Sequence, residues 1–143
     1  MFLGSFTPRL DDKGRLFLPA KYRERLAGGI VLTRGQEGCL FGFPRETFEP
    51  LVMEMAKAPL TNAQARSHMR MFLANASDEI PDKQGRITIP AGLRDWAGLT
   101  HECTVVGAAD RLEIWDTARW NAYDEANRET YNNRSEEVVP GIF

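Results

Sequence analysis

Metal ligands and nucleophiles are scarce in this sequence. The thiol and imidazole side chains are limited to Cys39, Cys103, His68 and His101. No cluster of Cys, His or carboxylate residues stands at the spacing of a metal site, and two lone cysteines are typical of free buried thiols. A Gly-rich phosphate loop ending in Lys-Ser/Thr and a Gly-x-Ser-x-Gly elbow are both absent. These absences predict a protein that is not an enzyme and has no catalytic residues, metal or cofactor.

Long apolar runs are also missing. No segment approaches the length of a membrane helix, and the N-terminus lacks the apolar core of a signal peptide. Hydrophobic residues make up 43% of the chain and charged residues 27%, which is an ordinary globular composition. With 143 residues, the chain is expected to form one compact domain or two half-sized units around a shared core. We expect a cytoplasmic protein without a membrane partner.

The net charge is only −2, and it is unevenly distributed. Residues 1–70 contain 11 Lys and Arg against 7 Asp and Glu, whereas residues 71–143 contain 7 against 13. Basic residues concentrate between Arg9 and Arg25, and much of the acid lies toward the C-terminus. The overall sign argues against a nucleic-acid partner, but the basic segment favours one. A solvated surface with scattered charge is the alternative.

One sequence element occurs twice. Residues 11–20 are Asp-Asp-Lys-Gly-Arg-Leu-Phe-Leu-Pro-Ala, and residues 82–91 are Asp-Lys-Gln-Gly-Arg-Ile-Thr-Ile-Pro-Ala. An arginine follows each copy at the same spacing, as Arg23 and Arg94. A repeat of this length in a short chain predicts two similar units in a pseudo-symmetric arrangement.

Each unit is predicted to run strand, tight turn, strand, short helix, hairpin and helix. Asp and Gly favour the turn, because Asp bonds forward to the backbone and Gly adopts positive φ easily. The alternation that follows points Leu16, Leu18, Ile87 and Ile89 inward and the arginines outward. We expect a first strand over residues 4–10, a first short helix ending at Gly28, and hairpins at 30–43 and 103–115. The later helices are expected at about 45–57, 61–75 and 117–131, with Asp116 as the N-cap of the last.

The repeated turn is either structural or a ligand site. In the structural interpretation the carboxylate pairs with the arginine across the bend. This explains Asp and Gly but leaves the lysines of the two turns, Lys13 and Lys83, without a role. An outward guanidinium beside a lysine suits phosphate or the O6/N7 edge of guanine, and a carboxylate could orient it. The residues alone leave nucleic-acid binding and structural duplication open.

Several segments together resemble the MraZ family. They are Met1-Phe2-x-Gly4, the repeated element at 11–19 and 82–90, Ala97-Gly98-Leu99, and the run Leu112-Glu113-Ile114-Trp115-Asp116. The resemblance covers essentially the whole chain, and only the tail after Trp120 has no distinctive match. It implies an α+β fold, a pseudo-two-fold swapped-hairpin β-barrel of the AbrB/SpoVT type with flanking helices. Residues 1–58 would be the first AbrB-like repeat, 59–75 a bridging helix, 76–131 the second repeat and 132–143 a C-terminal tail.

The resemblance also implies a function. The chain would be a sequence-specific DNA-binding repressor of the division and cell-wall gene cluster, associated with the nucleoid. It would bind double-stranded DNA at repeats in its own upstream promoter, as a homo-oligomeric ring of eight or more subunits. Carried over to the motif positions, the DNA-contacting residues are Arg15 and Arg86, with Asp11 and Asp82 as their partners.

Position and charge add Lys13 and Lys83 to the predicted DNA-binding residues. The residues expected to support the turns are Asp11, Gly14, Asp82 and Gly85. Because the basic surroundings of Arg15 are not repeated around Arg86, the first motif is expected to dominate. The alternative is an oligomeric interaction module that does not bind DNA and whose repeated turns are structural.

Overall fold

The computed structural model describes residues 1–143, which form eight strands and five helices. The strands are β1 Ser5–Phe6, β2 Arg15–Phe17, β3 Ile30–Arg34, β4 Leu40–Pro44, β5 Ser77–Glu79, β6 Arg86–Thr88, β7 Cys103–Ala108 and β8 Arg111–Asp116. The helices are α1 Ala20–Arg23, α2 Arg45–Met55, α3 Ala63–Leu73, α4 Ala91–Ala97 and α5 Thr117–Asn133. Helix length and polarity together rule out a membrane-crossing helix in this fold.

The two halves of the chain exchange strands. A six-stranded antiparallel sheet has the order β1-β7-β8-β4-β3-β5, so β1 of the first half pairs with β7 of the second, and β5 of the second half pairs with β3 of the first. If each strand is replaced by its counterpart in the other half (β1 with β5, β3 with β7 and β4 with β8), the same order is obtained in reverse. This is the pattern expected for an internal pseudo-two-fold axis. The predicted α+β swapped-hairpin fold is confirmed. Its strands form an open sheet and a separate two-stranded ribbon, without a closed ring of strands.

The ribbon consists of β2 and β6, paired antiparallel with Leu16 opposite Ile87. Because side chains alternate along a strand, these two residues and the following Leu18 and Ile89 point into the core, where none is more than 1% exposed. Backbone bonds tie the ribbon ends together, since Leu18 N–H donates to Gly85 O and Ile89 N–H to Gly14 O. The opposite face of the ribbon is left to solvent.

Several boundaries differ from the sequence predictions. Only Ser5 and Phe6 of the expected 4–10 strand pair as a strand, because Gly4 has a positive φ of +86° and Pro8 has no N–H to donate. The first short helix ends at Arg23 rather than at Gly28. The predicted N-cap of α5 is confirmed: the carboxylate of Asp116 accepts from the N–H of Arg119.

Helix α3 breaks the internal symmetry. Its Phe72 is buried against Phe43 and Phe48, with ring centroids 6.1 and 5.8 Å away. No helix follows α5 in the corresponding place. There Trp120 and Tyr123 pack on the buried Trp115 and stay partly open to solvent. The first half is therefore covered by a helix that the second half lacks.

Candidate nucleic-acid interface

The two Asp-x-x-Gly-Arg turns have the same geometry. In the first, one carboxylate oxygen of Asp11 accepts from the backbone N–H of both Lys13 and Arg15, at 2.9 Å each. The Gly14 N–H donates to the Asp11 carbonyl, and Gly14 has the positive φ (+77°) that the turn requires. The second turn repeats these bonds, because Asp82 accepts from the N–H groups two and four residues on, again at 2.9 Å. Local sequence therefore builds one rigid turn twice.

Each turn holds its arginine by one edge. The Nε of Arg15 donates to the second carboxylate oxygen of Asp11 at 2.7 Å, and the Nε of Arg86 donates to Asp82 at 2.8 Å. Both arginine side chains stay partly exposed, at 30% and 22%, and their terminal amino groups make no hydrogen bond within the chain. A planar guanidinium fixed in this way presents two free donors to a bidentate acceptor such as phosphate or guanine.

These hydrogen bonds depress the pKa of both turn carboxyls. The backbone N–H of Arg15 is the main reason that the pKa of Asp11 lies below its usual 3.8, and the guanidinium of Arg15 adds to the effect. The backbone N–H and guanidinium of Arg86 act on the pKa of Asp82 in the same way. Both carboxylates are therefore ionised at neutral pH and orient their arginines.

We expect NMR titration of the carboxyl carbons to give pKa values below 3.8 for Asp11 and Asp82. Because folding lowers these pKa values, the two ionised carboxylates stabilise the folded state. Their contribution is complete above pH 3.8 and is lost as the pH falls through the lowered pKa values. Arg15→Ala should raise the pKa of Asp11 only in part, since the backbone donor remains. The pKa of Asp82 is the internal control and should not move in that variant. A wild-type pKa at or above 3.8 for either group contradicts the geometry.

The outer face of the ribbon consists of Arg15, Phe17, Arg86 and Thr88. Arg15 stands opposite Thr88, and Phe17 stands opposite Arg86. Arg15 and Arg86 are therefore diagonal neighbours across the strand pair. Diagonal neighbours in an antiparallel pair lie about 7–8 Å apart, so the two arginines share one small surface. The guanidinium of Arg86 lies 5.9 Å from the ring centroid of the half-exposed Phe17, whereas Arg15 has no aromatic neighbour of this kind. The two arginines are thus close together but unequal in their surroundings.

Two further arginines connect the turns across the repeats. The guanidinium of Arg94, from the second half, covers Gly14: a Cβ added there would lie 1.7 Å from its Nη1. Arg23, from the first half, covers Gly85 in the same way, with its Nε 2.5 Å from an added Cβ. Each also donates at 3.1 Å to a carbonyl at the end of its own ribbon strand. Arg23 and Arg94 follow the two motifs at equal spacing, but the spacing alone does not indicate a role at the site.

The positive charge of this surface comes from unpaired groups. Arg15 and Arg86 are each neutralised by a carboxylate. By contrast, the side chains without a carboxylate partner are Lys13, Lys83, Arg23 and Arg94. The two lysines occupy different places in their turns, since Lys13 directly precedes its glycine and Lys83 directly follows its aspartate. The surface therefore combines two carboxylate-oriented arginines with two exposed lysines and with two arginines that are held by backbone carbonyls.

The flanks of the turns differ. Beside the first turn, Arg9 pairs by backbone with Glu102, and the ring of His101 lies 3.3 Å from the carbonyl of Leu10. Beside the second turn the residue that corresponds to Arg9 is Ile80, which is 64% exposed and uncharged. Arg9 is thus a basic neighbour that the second turn lacks, whereas each turn has one lysine and is covered by one arginine of the opposite half.

Comparison with known proteins gives one consistent family. The sequence model of the family described as "MraZ protein, putative antitoxin-like" matches twice, over residues 1–71 and 72–139. The chain is 54% identical to the transcriptional regulator MraZ of Micrococcus luteus, 56% identical to that of Kocuria rhizophila and 55% identical to that of Frankia alni. Each alignment covers 100% of both chains. The names of these relatives describe a regulator, which is not an enzymatic role.

Proposed function

This chain belongs to the MraZ family, and we propose that it is a sequence-specific DNA-binding transcriptional repressor that reads DNA with Arg15 and Arg86. One observation carries the proposal. The two arginines lie on the same exposed face of the ribbon, and each is fixed through Nε by a carboxylate, with its other edge free. Bidentate donors held at this separation suit the acceptor pairs of neighbouring bases or phosphates.

Phosphate contacts are assigned to the unpaired cations. Lys13 and Lys83 flank the two readers, and Arg23 and Arg94 cover the glycines of the opposite turns. Counterion release on DNA binding depends on the net positive charge of the contacting groups. An arginine that is already paired with an aspartate adds little net positive charge. The lysines and the cross-repeat arginines therefore supply affinity, whereas Arg15 and Arg86 supply sequence discrimination.

The low net charge favours binding through many weak contacts. A protomer with four unpaired cations at its ribbon neutralises few phosphates, so a single site binds weakly. A ring of eight or more protomers placed on successive repeats of the upstream promoter gains affinity through effective concentration. We propose this arrangement for the promoter of the division and cell-wall gene cluster, with the protein acting in the cytoplasm at the nucleoid.

The test is a binding series on the chain's own upstream promoter region and on an unrelated duplex of equal length. Between about 50 and 200 mM salt, the affinity of the wild type should fall steeply, by a slope of about −0.9 per phosphate contacted. Lys13→Ala should reduce the slope by about one and weaken both duplexes alike. Arg15→Ala should instead lower the ratio between promoter and unrelated DNA, and more so than Arg86→Ala.

The second candidate is an oligomeric interaction module that does not bind DNA. It is favoured because both oxygens of each turn carboxylate already accept hydrogen bonds within the same turn. These bonds account for the Asp, Gly and Arg without a ligand. Absence of promoter binding by the wild type at the lowest salt would support the module. A promoter preference that depends on the two arginines would exclude it.

A further inference from the structure

Phe17 is an exposed aromatic residue at the centre of the surface proposed to contact DNA. Its side chain is 45% exposed and is not part of the buried core. The alternation that buries Leu16 and Leu18 turns Phe17 to the same side of the ribbon as Arg15. A single exposed phenylalanine is ordinary on a protein surface. Its position beside the arginines, rather than its exposure, therefore indicates a contact with DNA.

The register of the ribbon pairs each arginine with a residue of the other repeat. Phe17 stands directly opposite Arg86, and Thr88 stands directly opposite Arg15. Side chains directly opposite each other in antiparallel strands have Cβ atoms about 4.5–5.5 Å apart. The guanidinium of Arg86 accordingly lies 5.9 Å from the centre of the Phe17 ring. Phe17 and Arg86 therefore form one unit to which both halves of the chain contribute.

A two-stranded ribbon fits the major groove of DNA. That groove admits a two-stranded β-ribbon, whereas the minor groove is only about half as wide. Successive base pairs are about 3.4 Å apart, so two side chains that face each other on the ribbon reach adjacent base pairs. The apolar group on the base edges of the major groove is the C5-methyl group of thymine. Because Phe17 has no hydrogen-bonding group for the polar edges, this methyl group is its matching contact.

We propose that Phe17 contacts the C5-methyl group of a thymine in the base pair next to the one read by Arg86. The inference rests on the proposed DNA binding and deepens it by naming a base that the arginines do not read. Thr88, the counterpart of Phe17, presents a single methyl group opposite Arg15 and so offers less apolar surface. The unit of Phe17 and Arg86 should therefore depend more strongly on thymine than the unit of Thr88 and Arg15.

The test compares two versions of the chain's own upstream promoter duplex, one with thymine and one with uracil at every thymine position. Uracil keeps the hydrogen-bonding groups of thymine and lacks only the C5-methyl group. At one salt concentration, the full-length wild type should bind the thymine duplex more tightly, by about fourfold for each methyl group that Phe17 contacts, the value of one buried methyl group. Phe17→Ala should reduce this preference by about the same factor, and Thr88→Ala should reduce it less.

Phe17→Leu separates a contact with thymine from a role in holding Arg86. Leucine keeps an apolar side chain but removes the ring on which the guanidinium lies, so most of the preference for the thymine duplex should remain. If Phe17 served only to hold Arg86, both Phe17 variants would weaken the two duplexes alike and leave their ratio unchanged, which would overturn the proposal. Tyr131→Ala removes an aromatic side chain that is 71% exposed on α5 and is the control. It should leave both affinities unchanged.

Failure of this inference and failure of the proposed function give different results. A wild type that binds the thymine duplex and an unrelated duplex equally overturns sequence-specific reading, and the thymine contact with it. A wild type that prefers its promoter but binds the thymine and uracil duplexes equally overturns only the thymine contact. A preference for thymine that is the same in the wild type and in Phe17→Ala belongs to another residue and overturns the role given to Phe17.

Discussion

Replacing both Arg15 and Arg86 by alanine is expected to abolish preferential binding to the promoter. Each bidentate arginine contributes about 1–3 kcal/mol of discrimination, so removing both should weaken promoter binding by about 30-fold to 10⁴-fold, at 1.4 kcal/mol per factor of ten. Binding to unrelated DNA should fall far less, because the unpaired lysines and arginines of the surface remain. Fluorescence anisotropy with both duplexes at one salt concentration measures the two losses together.

The fold should survive this double substitution. Both guanidiniums are partly exposed, and surface ion pairs contribute only about 0–1 kcal/mol. Arg128→Ala is a matched control, since Arg128 donates through Nε to Asp124 in the same i,i+4 arrangement on the exposed α5. That control should bind promoter as the wild type does. A double variant that keeps the promoter preference of the wild type would exclude Arg15 and Arg86 as readers.

Leu16→Ala is expected to lower the free energy of unfolding by about 2–5 kcal/mol. Leu16 is fully buried and faces Ile87 at the centre of the ribbon, where the two repeats meet. The cavity therefore opens in a core that both halves share. Urea denaturation followed by tryptophan fluorescence and by circular dichroism measures the loss. The two signals should change together, because neither half has a core of its own.

Leu60→Ala removes the same atoms from a side chain that is 84% exposed, and it serves as the control. Its effect should stay within about 0.5 kcal/mol, as for most surface substitutions. Two separate unfolding transitions in the wild type, or equal losses in Leu16→Ala and Leu60→Ala, would contradict a single shared core.

Local sequence was sufficient to predict both turns. Asp11 and Gly14 specify theirs through contacts no more than four residues long, and Asp82 and Gly85 repeat them. The inward leucine and isoleucine positions followed from alternation and are confirmed by their burial. The roles of Arg15, Arg86, Lys13 and Lys83 in DNA binding, and the division at residues 58, 75 and 131, stay predictions.

Other features of the site depend on contacts between residues far apart in the chain. The cover of Gly14 by Arg94 and of Gly85 by Arg23 arises from strand exchange, and so does the stacking of Arg86 on Phe17. Neither repeat contains the signal for these pairs by itself. Turn geometry, alternation and helix caps are short-range and can be read from sequence. The pairing of β2 with β6 joins residues about 70 positions apart, so its register follows from burying Leu16 against Ile87 in three dimensions.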